Sequence, residues 1–254
     1  MNKKNFKIDF FLILIFFIPV FTVHKSFAQG GGPPMLTDDP GTPGSNRWEI
    51  NASFNSHIAK LNEFEAPLID VNYGWKKRTQ LKIEMPYLIA ETADKNFSGN
   101  AGSPLVGIKY RFIDEDSNFI SVSCYPQGLI RIHTDDENEI KLPVQLEKSF
   151  GRLVVGEEIG FLHENNTDYL INGTLLGYRF SEKFETMGEI YFGKSTEQKK
   201  STSGFINFGL RYELSKKFVF LSSFGTQIMT RKNEERENFF SFIGLQLYIF
   251  TSHI

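Results

Sequence analysis

The chain has one cysteine, Cys124, in 254 residues. A lone thiol forms no internal disulfide, and this one lies far from the N-terminal export region, so it offers no lipid-attachment site. A disulfide-stapled extracellular module and a dithiol redox protein are both excluded. Excess positive charge is also missing: 28 Lys+Arg stand against 30 Asp+Glu. Such a chain has no electrostatic footprint for a nucleic-acid partner. Beyond residue 28 no stretch reaches 18 continuous apolar residues, so no transmembrane helix is expected there. Helical spacing never lasts more than a turn or two. What the chain has in excess is phenylalanine, 26 residues. Without a long apolar run to hold them, these rings must be spread over many short elements.

Residues 1–28 read as a cleaved export signal. Lys3, Lys4 and Lys7 precede the apolar run Phe10–Val23, and Ser26-Phe27-Ala28 supplies small residues at the −3 and −1 positions. The run is shorter than the ~20 residues a membrane-spanning helix needs. Removing Lys3, Lys4, Lys7, Lys25 and Asp9 with it leaves 24 basic against 29 acidic residues, a net charge of about −5. Residues 29–46 form a Gly/Pro-rich segment that carries Asp38 and Asp39. Residues 47–254 are expected to form a single barrel.

From Arg47 onward the apolar period is two. Trp48, Ile50, Ala52 and Phe54 alternate with polar neighbours, as do Leu81, Ile83, Met85 and Tyr87, then Val106, Ile108, Tyr110 and Phe112, and most clearly Ile206, Phe208, Leu210, Tyr212 and Leu214. This is the signature of strands with one apolar and one polar face. It predicts about twelve strands, near 47–57, 66–75, 79–90, 104–113, 118–127, 140–149, 152–163, 168–180, 184–194, 204–214, 217–229 and 239–250. The 118–127 and 152–163 strands alternate poorly.

Tight links (75–79, 113–117, 150–151, 181–183, 215–217) take turns along the chain with mostly longer polar ones (58–65, 91–103, 128–139, 164–167, 195–203, 230–238). A Greek-key sandwich gives no reason for that order. An up-and-down antiparallel transmembrane β-barrel gives one: short periplasmic turns, longer external loops, and both ends on the periplasmic side. Period-two alternation alone does not say which face points inward. The bulk of the apolar faces does, together with aromatics near strand ends: Trp48, Tyr73, Trp75, Phe112, Tyr178, Phe180, Tyr212 and Phe218. The expected lipid-facing surface would meet outer-membrane lipid and lipopolysaccharide. The last strand, with Gly244, Leu247 and Ile249, is similar to the signal read by the barrel-assembly machinery of Gram-negative bacteria. It departs from that signal at Phe242 and in its four trailing residues.

Five stretches in order, Pro33–Ile50, Ile69–Leu88, Gly107–Phe112, Ser123–Gln127 and Leu142–Gly151, resemble the MetA-pathway of phenol degradation family of outer-membrane barrels. The resemblance covers the chain from about Pro33 onward; its second half rests mainly on strand rhythm. It implies a transporter-like barrel that handles aromatic compounds, and it carries no catalytic or binding residues across.

The polar faces would line the lumen with Glu49, Asp70, Glu84, Glu147, Glu185, Glu189 and Glu213, and with Lys82, Lys109, Arg111, Lys141 and Arg211. A ring of one sign would mark an ion-selective pore, whereas interleaved signs point to pairing across the wall. The sharper reading is a narrow polar path with Glu185 and Glu189 opposite Lys109 and Arg111. The 29–46 segment is expected to fold into this lumen as a plug, with Asp38 and Asp39 meeting Lys82, Lys109 or Arg111.

Catalysis finds little support. His57, His133, His163 and His253 lie at strand ends, in loops or in the tail, without a Gly-x-Ser-x-Gly context. The acidic loop His133–Glu139 lacks calcium-loop spacing. The sequence reading is therefore a channel or transporter for passive passage of small molecules, hydrophobic or aromatic ones among them, with no cofactor, metal or enzymatic activity. The alternatives are a structural or adhesion barrel with a filled lumen and, behind it, a lipid-modifying enzyme.

Overall fold

The computed structural model of the chain describes residues 34–116, 118–132, 138–197, 202–231 and 236–250. The expected signal peptide, His133 and His253 lie outside them. The strands are β1 (Arg47–Ile58), β2 (Glu63–Lys76), β3 (Thr79–Glu91), β4 (Phe97–Ala101), β5 (Leu105–Ile113), β6 (Ser121–Cys124), β7 (Gln127–Leu129), β8 (Glu139–Phe150), β9 (Leu153–Glu164), β10 (Thr167–Arg179), β11 (Phe184–Ser195), β12 (Thr202–Glu213), β13 (Phe218–Met229) and β14 (Phe239–Phe250).

Two of these pairs are single spanning strands interrupted. Both β4 and β5 pair with β3, at Tyr87↔Ala101 and Glu84↔Leu105, and the break between them at residues 102–104 contains Pro104. Likewise β6 and β7 both pair with β5 and β8, and are separated by Tyr125-Pro126. Proline has no N–H to give a ladder, and both breaks contain one. Counting each pair once leaves the twelve strands that the alternation predicts.

Every spanning strand is antiparallel to its neighbours, and β1 closes on β14 from Arg47↔Phe250 to Ile58↔Phe239. Closure removes the sheet edge, and with it the unpaired backbone groups that hydrocarbon does not tolerate. Two connections differ from expectation. The β5–β6 turn is longer than a tight hairpin, running from Ile113 to Ser121, and Arg111, Arg78 and Lys77 gather around Asp114 there at 2.7, 2.9 and 3.8 Å. The β9–β10 loop is only Asn165-Asn166, both at positive φ (47° and 56°), the geometry of a two-residue hairpin turn.

Burial is inverted relative to a soluble protein. Asn207 is 0% exposed while its neighbour Phe208 is 50% exposed; on β10, Tyr169 is 5% and Leu170 58% exposed. Polar side chains outnumber apolar ones in the interior, and Phe, Leu and Ile cover the outside. An outward ring transferred from water to lipid gains about 1.5–3 kcal/mol, so this surface requires a bilayer. Strands of 12 residues at ~3.3 Å per residue and ~40° tilt cross its apolar layer. Near the short turns Trp48–Tyr73, Tyr110–Phe112 and Tyr178–Phe180 stand at ring-centroid separations of 4.5, 5.0 and 4.9 Å, forming an aromatic girdle.

Candidate functional site

The inward faces bring charged residues together mostly as neighbours. Lys82 of β3 sits 3.5 Å from Asp70 of β2 and 2.8 Å from Glu84. Lys141 of β8 reaches Glu158 of β9 at 2.6 Å, and Arg179 meets Glu185 at 3.7 Å. Arg211 donates to Gln246 Oε1 and to the Tyr248 hydroxyl, each at 3.0 Å. Glu49 accepts from Asn51 Nδ2 at 3.4 Å. Glu147 is buried on β8, and Glu213 ends β12 beside a short turn.

The N-terminal segment from Pro34 contacts this wall on several strands. Glu189 of β11 accepts the backbone N–H of Leu36 (2.7 Å) and of Thr37 (2.8 Å), while Asn207 donates to the same carboxylate at 2.9 Å. The N–H of Asp38 donates to Glu158 at 3.2 Å. Ser223 of β13 donates to the carbonyl of Pro34 at 2.7 Å. On the other side Lys109 donates to the Asp39 carbonyl at 2.6 Å and lies 3.8 Å from the Asp38 carboxylate, whose second oxygen accepts from Gln127 at 3.1 Å. Met35 packs against Leu175 and Met187.

Glycine makes two of these approaches possible. A Cβ on Gly173 would collide with Thr37 Oγ1, and one on Gly74 with the carbonyl of Gly44, where the chain turns at φ +85°.

Asp38 and Asp39 lie in this segment, not in a spanning strand, and their carboxyls are shifted in opposite directions. Burial would raise the Asp38 carboxyl, but Lys109, Lys141 and Lys82 outweigh it and hold it below the usual carboxylate range. Asp39 is pushed up by burial, and the adjacent Asp38 charge adds to the effect.

Of the three bases expected to meet the two aspartates, Lys109 is the one within ion-pair distance of Asp38. Lys109 serves both, one of them through a backbone carbonyl. Arg111 turns to Asp114 at 2.7 Å instead, closing its own turn three residues on. Glu158 is the residue that sequence reasoning missed. It follows Glu157, and two adjacent carboxylates on a poorly alternating strand do not reveal which faces inward. Pairing with the inward Gly173 decides for Glu158. Glu157 faces outward, where Asn172 and Thr174 donate to its two oxygens.

The lumen also has an aromatic side. Phe240 lies over Gly225 and meets Phe205 edge-on at 6.0 Å, and Phe242 lies over Gly244. At the loop end, His57 pairs with Glu237 and His163 with Asp168, each at 2.6 Å.

No protein-family model matches the chain, and no curated protein does. Solved structures match in fold. A COG4313 outer-membrane channel from Pseudomonas putida F1 aligns with a TM-score of 0.60 at 9% identity, over 87% of this chain and 100% of its own. The NanC porin aligns with a TM-score of 0.57 at 11% identity, over 79% and 98%. The CymD monoaromatic hydrocarbon channel gives 0.52 at 7%, over 82% and 90%. At identities this low the likeness establishes the fold alone: a closed antiparallel β-barrel of the kind seen in outer-membrane porins and channels.

Proposed function

We propose that the protein is an outer-membrane channel for passive passage of small molecules, with residues 34–46 as a resident plug. The observation that supports this reading best is the way the segment is held. It is fastened through its backbone to polar wall groups, Glu189 and Ser223 on one side and Lys109 on the other. Contacts of that kind can be exchanged for water or solute without unfolding the barrel. The lumen-facing Phe205, Phe240 and Phe242, the resemblance to the MetA-pathway family and the likeness to a monoaromatic hydrocarbon channel favour aromatic or apolar solutes. On this reading the inward charges line the path, lipid and lipopolysaccharide cover the outer belt, the assembly machinery reads Gly244, Leu247 and Ile249, and the chain performs no catalysis.

Proteoliposomes test it. The purified protein should let small uncharged sugars equilibrate, seen as osmotic swelling; liposomes that stay sealed to every solute tried would contradict it. A structural barrel with a filled lumen is the second reading, favoured by the matched pairs Lys82–Asp70, Lys141–Glu158 and Arg179–Glu185. It predicts the sealed outcome.

A further inference from the structure

Lys109 is only 3% exposed, and its charge is not matched by the wall. The other two lysines at this level have wall partners: Lys82 has Asp70 and Glu84, and Lys141 has Glu158. These three acids face the same space, yet each lies within ion-pair distance of Lys82 or Lys141 and not of Lys109. Among the described residues, the contacts of Lys109 are the Asp39 carbonyl, the Asp38 carboxylate and the face of Tyr125, 4.5 Å from the ring centroid. Apart from Tyr125, all belong to the N-terminal segment. A cation buried this deeply costs several kcal/mol without a counter-charge, so a wall that carries one unmatched is built for an anion from elsewhere.

The surroundings fit a carboxylate. Gln127 donates to the second oxygen of Asp38, giving the group one cationic and one amide donor from neighbouring strands. The ring of Tyr125, a residue 1% exposed, lies against Lys109, and its buried hydroxyl has no hydrogen-bond partner among the described residues. It is a spare donor of the right chemistry. Lys82 and Lys141 add to the field that keeps the Asp38 carboxyl ionised.

We propose that Lys109, Gln127 and Tyr125 form a receptor site for the carboxylate of a small solute, and that Asp38 is its resident occupant. The inference rests on the channel reading above and gives it a substrate class: small organic acids, with aryl carboxylates matching the aromatic side of the lumen. An incoming carboxylate takes the place of Asp38, so recognition and release of the plug become one event.

The test uses the full mature chain in detergent and in planar bilayers, with benzoate as probe and its neutral isostere benzamide as control. Calorimetric titration at constant ionic strength should show benzoate binding and benzamide binding at least about tenfold weaker, as expected for loss of a charge-assisted pair. Lys109→Gln should remove the preference and Lys109→Arg keep it, with folding of each checked by gel mobility before and after boiling. Equal binding of the two probes to the wild-type protein, or an unchanged preference in Lys109→Gln, overturns the proposal. Should Lys109→Gln fail to fold, the two-probe comparison on wild-type protein decides alone. Bilayer currents separate this inference from the channel reading. Benzoate binding without current in any salt refutes passage and keeps the site; current without benzoate preference refutes the site and keeps passage.

Discussion

Replacing Glu189 with glutamine changes one oxygen to an amide nitrogen at the point where the N-terminal segment is held. The carboxylate accepts from Leu36 N, Thr37 N and Asn207 Nδ2 at 2.7, 2.8 and 2.9 Å. Glutamine keeps one acceptor and sets an N–H₂ against a donor at the other. The bond lost and the bond weakened were both charge-assisted, each worth about 1.5–3 kcal/mol. A net loss of about 3 kcal/mol shifts the docked-to-undocked ratio about 10²-fold. Single-channel recording reads that ratio as time spent in the low- and high-conductance states. Glu189→Gln should lengthen the high-conductance dwells by that order while the unboiled gel band stays in its folded position. Unchanged dwells in a folded variant would refute the claim that Glu189 fastens the segment.

Two further perturbations test the orientation of the wall. Phe208→Arg puts a charge on an outward residue that is 50% exposed, and should cost about 2–4 kcal/mol in urea unfolding from lipid vesicles; a neutral effect would mean that this face meets water. Glu157→Gln keeps one of the two acceptors, leaves the Thr174 hydroxyl able to turn and accept from the new amide, and removes a charge from the lipid side. It should stabilise the barrel by about 1 kcal/mol in the same titration, and destabilisation would count against the outward placement.

The strands that the sequence reveals best are those whose neighbours impose one consistent environment on each face. In β12, Phe208, Leu210 and Tyr212 face lipid and Asn207, Gly209 and Arg211 face the interior, so the period survives in the composition. In β9 it does not. The glycines at 156 and 160 and the successive Glu157 and Glu158 give no polarity contrast, and only the register with β10 sorts them. Salt bridges within the wall join adjacent strands and were approachable from alternation. The grip of Glu189 on Leu36 joins residues 153 positions apart, and nothing in either local sequence encodes the other. Arg111 shares the inward parity of Lys109, yet its ion pair is with a carboxylate three residues away, a local partner that parity alone does not reveal.

The plugged channel is tested most directly by the conductance of two proteins in planar bilayers, the mature chain and the same chain lacking residues 34–46. It predicts small, interrupted currents for the first and larger, steady currents for the second. No current from either, with both barrels folded, would contradict it.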